Sequence, residues 1–296
     1  MLGSGGPIAD DARASSGYLI WDDAKARVLV DIGSGALLRY AQSGADFRDL
    51  DALLLTHLHT DHSADLPGLL KSGVFSGRRR PVLIAGPGRG RGRQVSFPSL
   101  TEYLDAMFSP SFGAYAYLAG YLDGSQGLPR LRPVVIGEDS PQLSLGGKPP
   151  EVSPGAAAVT IDTGIDGLRV EALEVAHGPV PALAYRVSLA EHVVVFAGDQ
   201  HEKGERFADF AQGARLLVLP MPIGVQGSDA ALALHAPPQR LGVMAQRAGV
   251  QSVLLSHFMQ RSLRNLNENI AAVRENYTGE LWLAEDLDCY LLAPKS

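Results

Sequence analysis

Between Thr56 and His62 (THLHTDH) three histidines and one aspartate fall within six residues, in a chain of 296 residues that holds eight histidines in all. Imidazole nitrogen and carboxylate oxygen are the donors that suit Zn²⁺, with Mn²⁺ or Fe²⁺ as competitors. His57 and His59 are two positions apart, so on extended backbone they project to the same side and can grip one ion. Asp61 and His62 lie past the following bend and can reach a second. A polar helix start capped by Asp61 would account for one acceptor and for none of the three imidazoles.

Four donors in one loop cannot hold two ions alone. Three further candidates each follow a run of strand-forming residues: His177 in EVAHGP, Asp199 in VVVFAGD and His257 in VLLSHF. Strand ends of paired sheets share an edge, so all three can converge on the loop. Singly, each would pass for a turn or cap residue; together with the loop they form a donor set. The only cysteine, Cys289, excludes a disulfide framework and any multi-cysteine metal site. His192 is expected to be exposed at the start of a strand, and His201 either approaches the site or faces solvent. His235, ahead of Pro237-Pro238, either opens a helix or lines the site.

The elements that must carry these residues are legible from pattern. Gly17–Trp21 and Arg27–Asp31 suit a hairpin turning at Asp22-Asp23, with a helix over Ala36–Gln42. Leu50–Thr56 is a nearly continuous apolar run, as in a strand buried on both faces. A helix over Asp65–Ser72, a strand over Pro81–Ala85 and a helix over Leu100–Phe108 follow. Strands are expected over Leu168–Val175, Ala182–Val187 and His192–Ala197. The last third alternates helix (Glu202–Gln212, Pro238–Ala248, Ser262–Tyr277) with strand (Leu216–Leu219, Ser252–Ser256, Glu280–Leu283, Asp288–Leu292). Strand meanders followed by β-α units, twice over, predict an α/β chain of two packed sheets with helices outside.

Hydrophobic residues at 46% and charged residues at 20% describe a globular chain and exclude wholesale disorder. A net charge of −6 argues against binding a polyanion through overall charge. The one long uncharged stretch, Ala106–Leu122, is broken by Pro and Gly and too short to span a membrane. No export signal is visible, so the expected location is the cytoplasm, or the periplasm where a signal has been removed. Arg78-Arg79-Arg80, with Arg89, Arg91 and Arg93, is either a solvated loop or a phosphate-binding patch. The aromatics Tyr103, Phe108, Phe112, Tyr115, Tyr117 and Tyr121 fill a core or, with Tyr115 and Tyr117 foremost, form a wall for aryl substrates or a homodimer interface.

The motifs LGSGGP (2–7), LVDIGSG (29–35), LLLTHLHTDH (53–62), VAHGP (175–179), FAGD (196–199) and LLSHF (254–258) resemble the metallo-β-lactamase superfamily. The resemblance implies an αββα sandwich of two mixed β-sheets with helices outside. It implies one metallo-hydrolase domain over 1–296 with an irregular inserted segment at about 89–154. It also implies two Zn²⁺ ions: His57, His59 and His177 hold one, Asp61, His62 and His257 the other, and Asp199 bridges them. Two ions about 3.5–4 Å apart can deprotonate a shared water, and the hydroxide attacks an ester. Asp61 and His235 are the expected catalytic residues, Asp61 as proton acceptor and His235 from outside the ligand set.

AHGPVPALAYRV (176–187) and LHAPPQRLGVMAQRAGVQSVLLSHF (234–258) are similar to the subgroup of ribonuclease Z and arylsulfatase-like hydrolases, where His235 matches a histidine lining the active site. Two departures rank the substrates. Leu217–Ile223 (LVLPMPI) lacks the His and Glu of the ribonuclease Z loop, and the long tRNA-gripping arm is not recognisable. A small phosphodiester or sulfate ester is therefore expected first. Lactones, β-lactams and the 3′ processing of tRNA are alternatives. RNA ranks behind a small molecule as partner, and no membrane partner is expected. A metal-binding regulatory protein is the non-enzyme rival, disfavoured because all seven donors are present.

Overall fold

The computed structural model describes residues 1–91, 96–137, 157–201 and 204–292. Its first sheet takes β1 (Gly17–Asp22), β2 (Lys25–Ile32), β3 (Ala52–Leu54), β4 (Val82–Pro87) and, after a small hairpin of β5 (Gly90–Arg91) and β6 (Ser96–Phe97), β7 (Leu131–Ile136), in the spatial order β1-β2-β3-β4-β7. β1 and β2 pair antiparallel, closed by Asp23 and Ala24 at φ 47° and 60°. The other pairs of this sheet are parallel. The second sheet takes β8 (Val159–Ile161), β9 (Leu168–His177), β10 (Val180–Leu189), β11 (His192–Phe196), β12 (Leu216–Pro220), β13 (Ser252–Ser256) and β14 (Glu280–Leu283), in the order β14-β13-β12-β11-β10-β9-β8. Its β8–β11 half is antiparallel and its β11–β14 half parallel.

Period-two alternation in β2, β3 and β4 gives the first sheet two apolar faces. Val28, Val30, Ala52, Leu54, Leu83 and Ala85 share a core with Val170, Leu183, Tyr185, Val195, Leu217 and Leu255 of the second sheet. The alternate residues Leu29, Leu53, Val82 and Ile84 pack beneath α1 (Ala36–Gln42), α3 (Leu66–Gly73) and α4 (Leu100–Phe108) through Tyr40, Leu69 and Leu104. The four-residue α2 (Thr60–Ser63) lies between α1 and α3, and α5 (Gly120–Asp123) follows α4. Hydrogen bonds from Leu183 N to Thr56 O (2.9 Å) and from Tyr185 Oη to Leu55 O (3.0 Å) tie the two sheets at the mouth of the His/Asp loop. The second sheet is covered by α6 (Arg206–Ala211) and α8 (Pro238–Ala248), with α7 (Asp229–Leu232) between them in sequence and α9 (Gln260–Leu263) and α10 (Leu266–Arg274) after β13. The result is the αββα sandwich that the motifs imply.

Helices whose ends carry strong local chemistry fall where expected. α4 opens on a Ser99–Glu102 capping box, and α8 starts at Pro238 and stops at Gly249 in the left-handed region. Other elements differ. The expected helix 262–277 is two helices, and Asp288–Leu292 forms no strand: Tyr290 instead stacks on Trp282 at 5.4 Å and donates to Leu283 O. The helix expected from Glu202 starts at Arg206, and residues 202–203 lie outside the described residues. β7 is unpredicted because Pro133 interrupts it; as an edge strand it tolerates a residue with no N–H. The segment at about 89–154 thus contributes a strand to the first sheet, while its residues 138–154 lie outside the described residues. Among the described residues, no helix is long and apolar enough to cross a membrane.

The arginine run is only partly the solvated loop expected: Arg79 and Arg80 are exposed, and Arg78 is not. Arg78 is buried, and its guanidinium donates to the carbonyls of Phe47, Arg48, Arg80 and Pro81 at 2.8–3.1 Å. Arg80 pairs with Asp51 and Arg89 with Glu102. Arg93 and the Arg91 side chain lie outside the described residues.

Candidate metal centre

Every expected donor sits at or just beyond a strand end on one edge of the sandwich. His57 follows β3, His59 is the extended residue before α2, and Asp61 and His62 lie in α2 itself. His177 is the last residue of β9, Asp199 comes three residues after β11, and His257 follows β13 directly. Gly33 lets the loop close: a Cβ there would stand 2.0 Å from Asp61 O. His257 takes φ 57°, a left-handed geometry that a side chain rarely adopts, and is clamped there because Phe258 donates to Ser4 O and accepts from Gly6 N, both at 2.8 Å.

The donors converge. His57 Nε2 is 3.0 Å from His59 Nδ1, and those two rings group with His177. His62 Nε2 is 3.1 Å from His257 Nε2, and Asp61 Oδ2 lies 3.2 Å from His257 Nε2 and 3.4 Å from His62 Nε2. Asp199 Oδ2 stands between the two sets, 3.9 Å from His177 Nε2, 3.8 Å from His62 Nε2 and 3.4 Å from His257 Nε2. His235 is nearer than expected. Its Nδ1 is 3.7 Å from Asp199 Oδ2, and with His177 and Asp199 it makes a further group able to hold an ion.

Asp31, absent from the expected site, orients this cluster. Its carboxylate accepts from Thr56 N (2.7 Å), Thr56 Oγ1 (2.8 Å) and His62 Nδ1 (2.8 Å). His177 Nδ1 likewise donates to Leu234 O at 2.9 Å. With Nδ1 donating in both rings, Nε2 is the nitrogen left to face a metal ion. The sequence does carry a trace of Asp31: an aspartate inside the apolar run Val28–Ile32 is out of place in a buried strand unless it is bonded.

The electrostatics and unmet bonding fit divalent cations. Asp31, Asp61 and Asp199 are all buried around His62. Burial disfavours a charged His62, yet these three carboxylates raise its pKa well above the usual value. Burial would likewise raise Asp199 and Asp61, but the surrounding histidines hold both carboxyls below the ordinary range. Burial pushes His235 down to about 4 against the pull of Asp199, so its ring is neutral at pH 7. His177 Nε2 and Asp199 Oδ1 are buried without a hydrogen-bond partner. Lone pairs and carboxylates gathered with so few donors among them call for positive charge from bound ions.

The remaining candidates belong to none of the four donor groups. Tyr115 and Tyr117 are exposed and meet each other at 6.5 Å; Tyr115 also contacts the Phe108 ring, and Tyr117 the Lys71 Nζ at 5.2 Å. Their segment reaches the centre indirectly, through Tyr103 Oη donating to Ser63 O at 3.1 Å. His192 opens β11, and His201 belongs to none of the four groups.

A profile described as Metallo-beta-lactamase superfamily matches residues 10–223. The chain belongs to that superfamily. It is a metal-dependent hydrolase by that membership, and the αββα architecture is the metallo-beta-lactamase fold. Among curated relatives, a ribonuclease Z of Mycobacterium sp. (strain KMS) is 30% identical over 88% of the chain and 83% of the relative. A ribonuclease Z of Thermobifida fusca is 27% identical over 97% and 92%. Among solved structures, human tRNase Z, short form, aligns with a TM-score of 0.65 over 98% of this chain and 97% of that one, at 19% identity, which speaks to the fold.

Proposed function

We propose that the chain is a dinuclear zinc phosphodiesterase that cleaves RNA, in the manner of ribonuclease Z trimming the 3′ side of precursor tRNA. The observation that carries the reading is the Asp199 carboxylate, poised within 3.4–3.9 Å of imidazoles from both histidine sets. In this reading His57, His59 and His177 hold one ion, Asp61, His62 and His257 the other, Asp199 bridges, and 1–296 works as one hydrolase domain. The ions, when bound, supply an activated water and polarise the phosphoryl oxygen. Asp61, kept ionised by His62 and His257, accepts the proton that the attacking water loses. His235, neutral at pH 7 and beside Asp199, hydrogen-bonds the oxygen that gains charge or leaves. Asp31 and Leu234 O lock the His62 and His177 rings, so little reorganisation remains during the reaction.

This reading ranks RNA ahead of small esters, the reverse of the order expected from the sequence. The lack of His and Glu in Leu217–Ile223 and the unrecognised arm placed small esters ahead of RNA. Ribonuclease Z relatives aligned over most of their length support RNA instead. Small phosphodiesters, sulfate esters and lactones rank behind it. The test is a 3′-extended precursor tRNA offered beside an aryl phosphodiester and an aryl sulfate to the zinc-loaded protein. A single cut on the 3′ side of the tRNA, abolished by chelator and by Asp199→Ala, is the expected result. Turnover of a small ester with the tRNA left whole would overturn the reading.

A further inference from the structure

The loop after β12, α7 and the start of α9 and α10 line a solvent-open cavity of about 350 Å³, within the range of small-ligand sites. Each wall continues an element that carries the centre. Pro220, where β12 ends, lines a small pocket with His62, Asp199 and His257, and the loop 223–228 follows it. Ala231 lies in the cavity wall, and its carbonyl accepts from His235 N at 2.9 Å. Arg261 lies four residues past His257, and its charge is felt at the His235 ring.

The cavity is held open by a buried side chain. Asn269 accepts from Val225 N (3.0 Å) through Oδ1 and donates to Ser262 O (2.8 Å) through Nδ2, tying the loop to α9. Gly224 permits this approach, since a Cβ there would stand 3.1 Å from Asn269 Oδ1.

Two opposite charges, both on solvent-exposed residues, line this space without pairing with each other. Arg261 Nε donates to Pro222 O at 2.9 Å, and its terminal nitrogens have no hydrogen bond or ion pair among the described residues. The Glu268 carboxylate also lines the cavity and has none. A cation and a carboxylate left unpaired in one cavity suit a ligand that carries both an anion and N–H donors. Ile223 and Val225 add apolar surface for a flat ring.

We propose that this cavity seats the nucleotide next to the scissile phosphodiester, with its phosphate on Arg261 and the exocyclic amine of its base on Glu268. The inference rests on the ribonuclease reading for its substrate, and on the cavity's own residues for its chemistry. A carboxylate accepts from the cytosine N4 amine and repels the O4 oxygen that uracil presents instead.

The test is calorimetric titration of the zinc-loaded protein with CMP, UMP and inorganic phosphate, the last as control for binding at the metals. CMP should bind more tightly than UMP, and Glu268→Gln should erase the difference. Arg261→Ala should weaken both nucleotides on the order of tenfold while leaving inorganic phosphate unchanged. Equal affinity for CMP and UMP, or nucleotide binding indifferent to both substitutions, overturns the proposal even if RNA is cleaved. Retained CMP preference in a protein that cleaves no RNA would uphold the nucleotide site and remove the ribonuclease reading instead.

Discussion

Asp31 Oδ2 accepts from His62 Nδ1 at 2.8 Å although the two residues stand 31 positions apart. The same side chain takes both the amide and the hydroxyl of Thr56, so one carboxylate joins the end of β2 to both ends of the His/Asp loop. Asp31 holds φ 54°, a geometry that aspartate tolerates better than most residues. Asp31→Ala should therefore lower metal affinity roughly 10–100-fold by freeing the His62 ring. Competition with a chromogenic chelator measures this. Wild-type affinity in the variant would show that the ring is held by something else.

Metal loading should be close to two transition-metal ions per chain, removable by chelator with loss of hydrolysis. The three buried carboxylates around His62 also lose their compensating charge on removal, so thermal stability should fall with activity. Elemental analysis alongside thermal melts of stripped and reloaded protein tests both. A freshly purified, folded sample without bound metal would contradict the dinuclear reading.

Asp199→Ala should be worse than His235→Ala. Asp199 faces imidazoles from both sets, whereas His235 meets the cluster through the single contact of its Nδ1 with Asp199 and through its ring neighbours His177 and His257. The Asp199 variant should lose metal and activity together. The His235 variant should keep its metal and lose turnover, by roughly 10²–10⁴-fold if it acts on a proton. Metal loss of equal size in both would place His235 among the ligands, which its grouping with His177 and Asp199 makes a real test.

The fold was readable where local chemistry and burial agree, and the site where donors are dense. Leu50–Thr56 reads as a buried strand because its residues are buried throughout, though only Ala52–Leu54 forms one, and His57–His62 stands out because capping cannot use three imidazoles. β7 was not readable: Pro133 marks a loop in sequence and is harmless only at a sheet edge, a fact of topology. Asp31 was not readable as a site residue because its role comes from a contact 31 residues away. Arg78 misled for the same reason. A cationic run looks solvated until the fold brings four carbonyls around one guanidinium.

Arg78 should accordingly matter for stability and not for catalysis. Its guanidinium satisfies carbonyls from two separate segments, and the flat fork of donors has no equivalent in lysine. Both Arg78→Ala and Arg78→Lys should destabilise the chain, the former by about 2–4 kcal/mol. Urea unfolding measures the loss. A variant as stable as the wild type but weaker in substrate binding would return the run to an anion-binding role.

Tyr115 and Tyr117 belong to none of the donor groups, and their geometry suits unpaired bases better than a small ester. The rings are 39% and 58% exposed, meet edge to face at 6.5 Å, and have the Lys71 ammonium over the Tyr117 face. An exposed aromatic pair beside a cation can stack a base and hold its phosphate, each stacked base contributing about 1–3 kcal/mol. An RNA chain extends past the metal site in both directions and can present such bases, which a small aryl ester cannot. Replacing both tyrosines with alanine should thus raise KM for precursor tRNA several-fold, leave kcat and metal content near the wild type, and scarcely change a small aryl phosphodiester. Steady-state kinetics on the two substrates separates these outcomes. A loss confined to the aryl ester would reinstate the aromatic wall for small substrates, and no change on either would remove both tyrosines from the site.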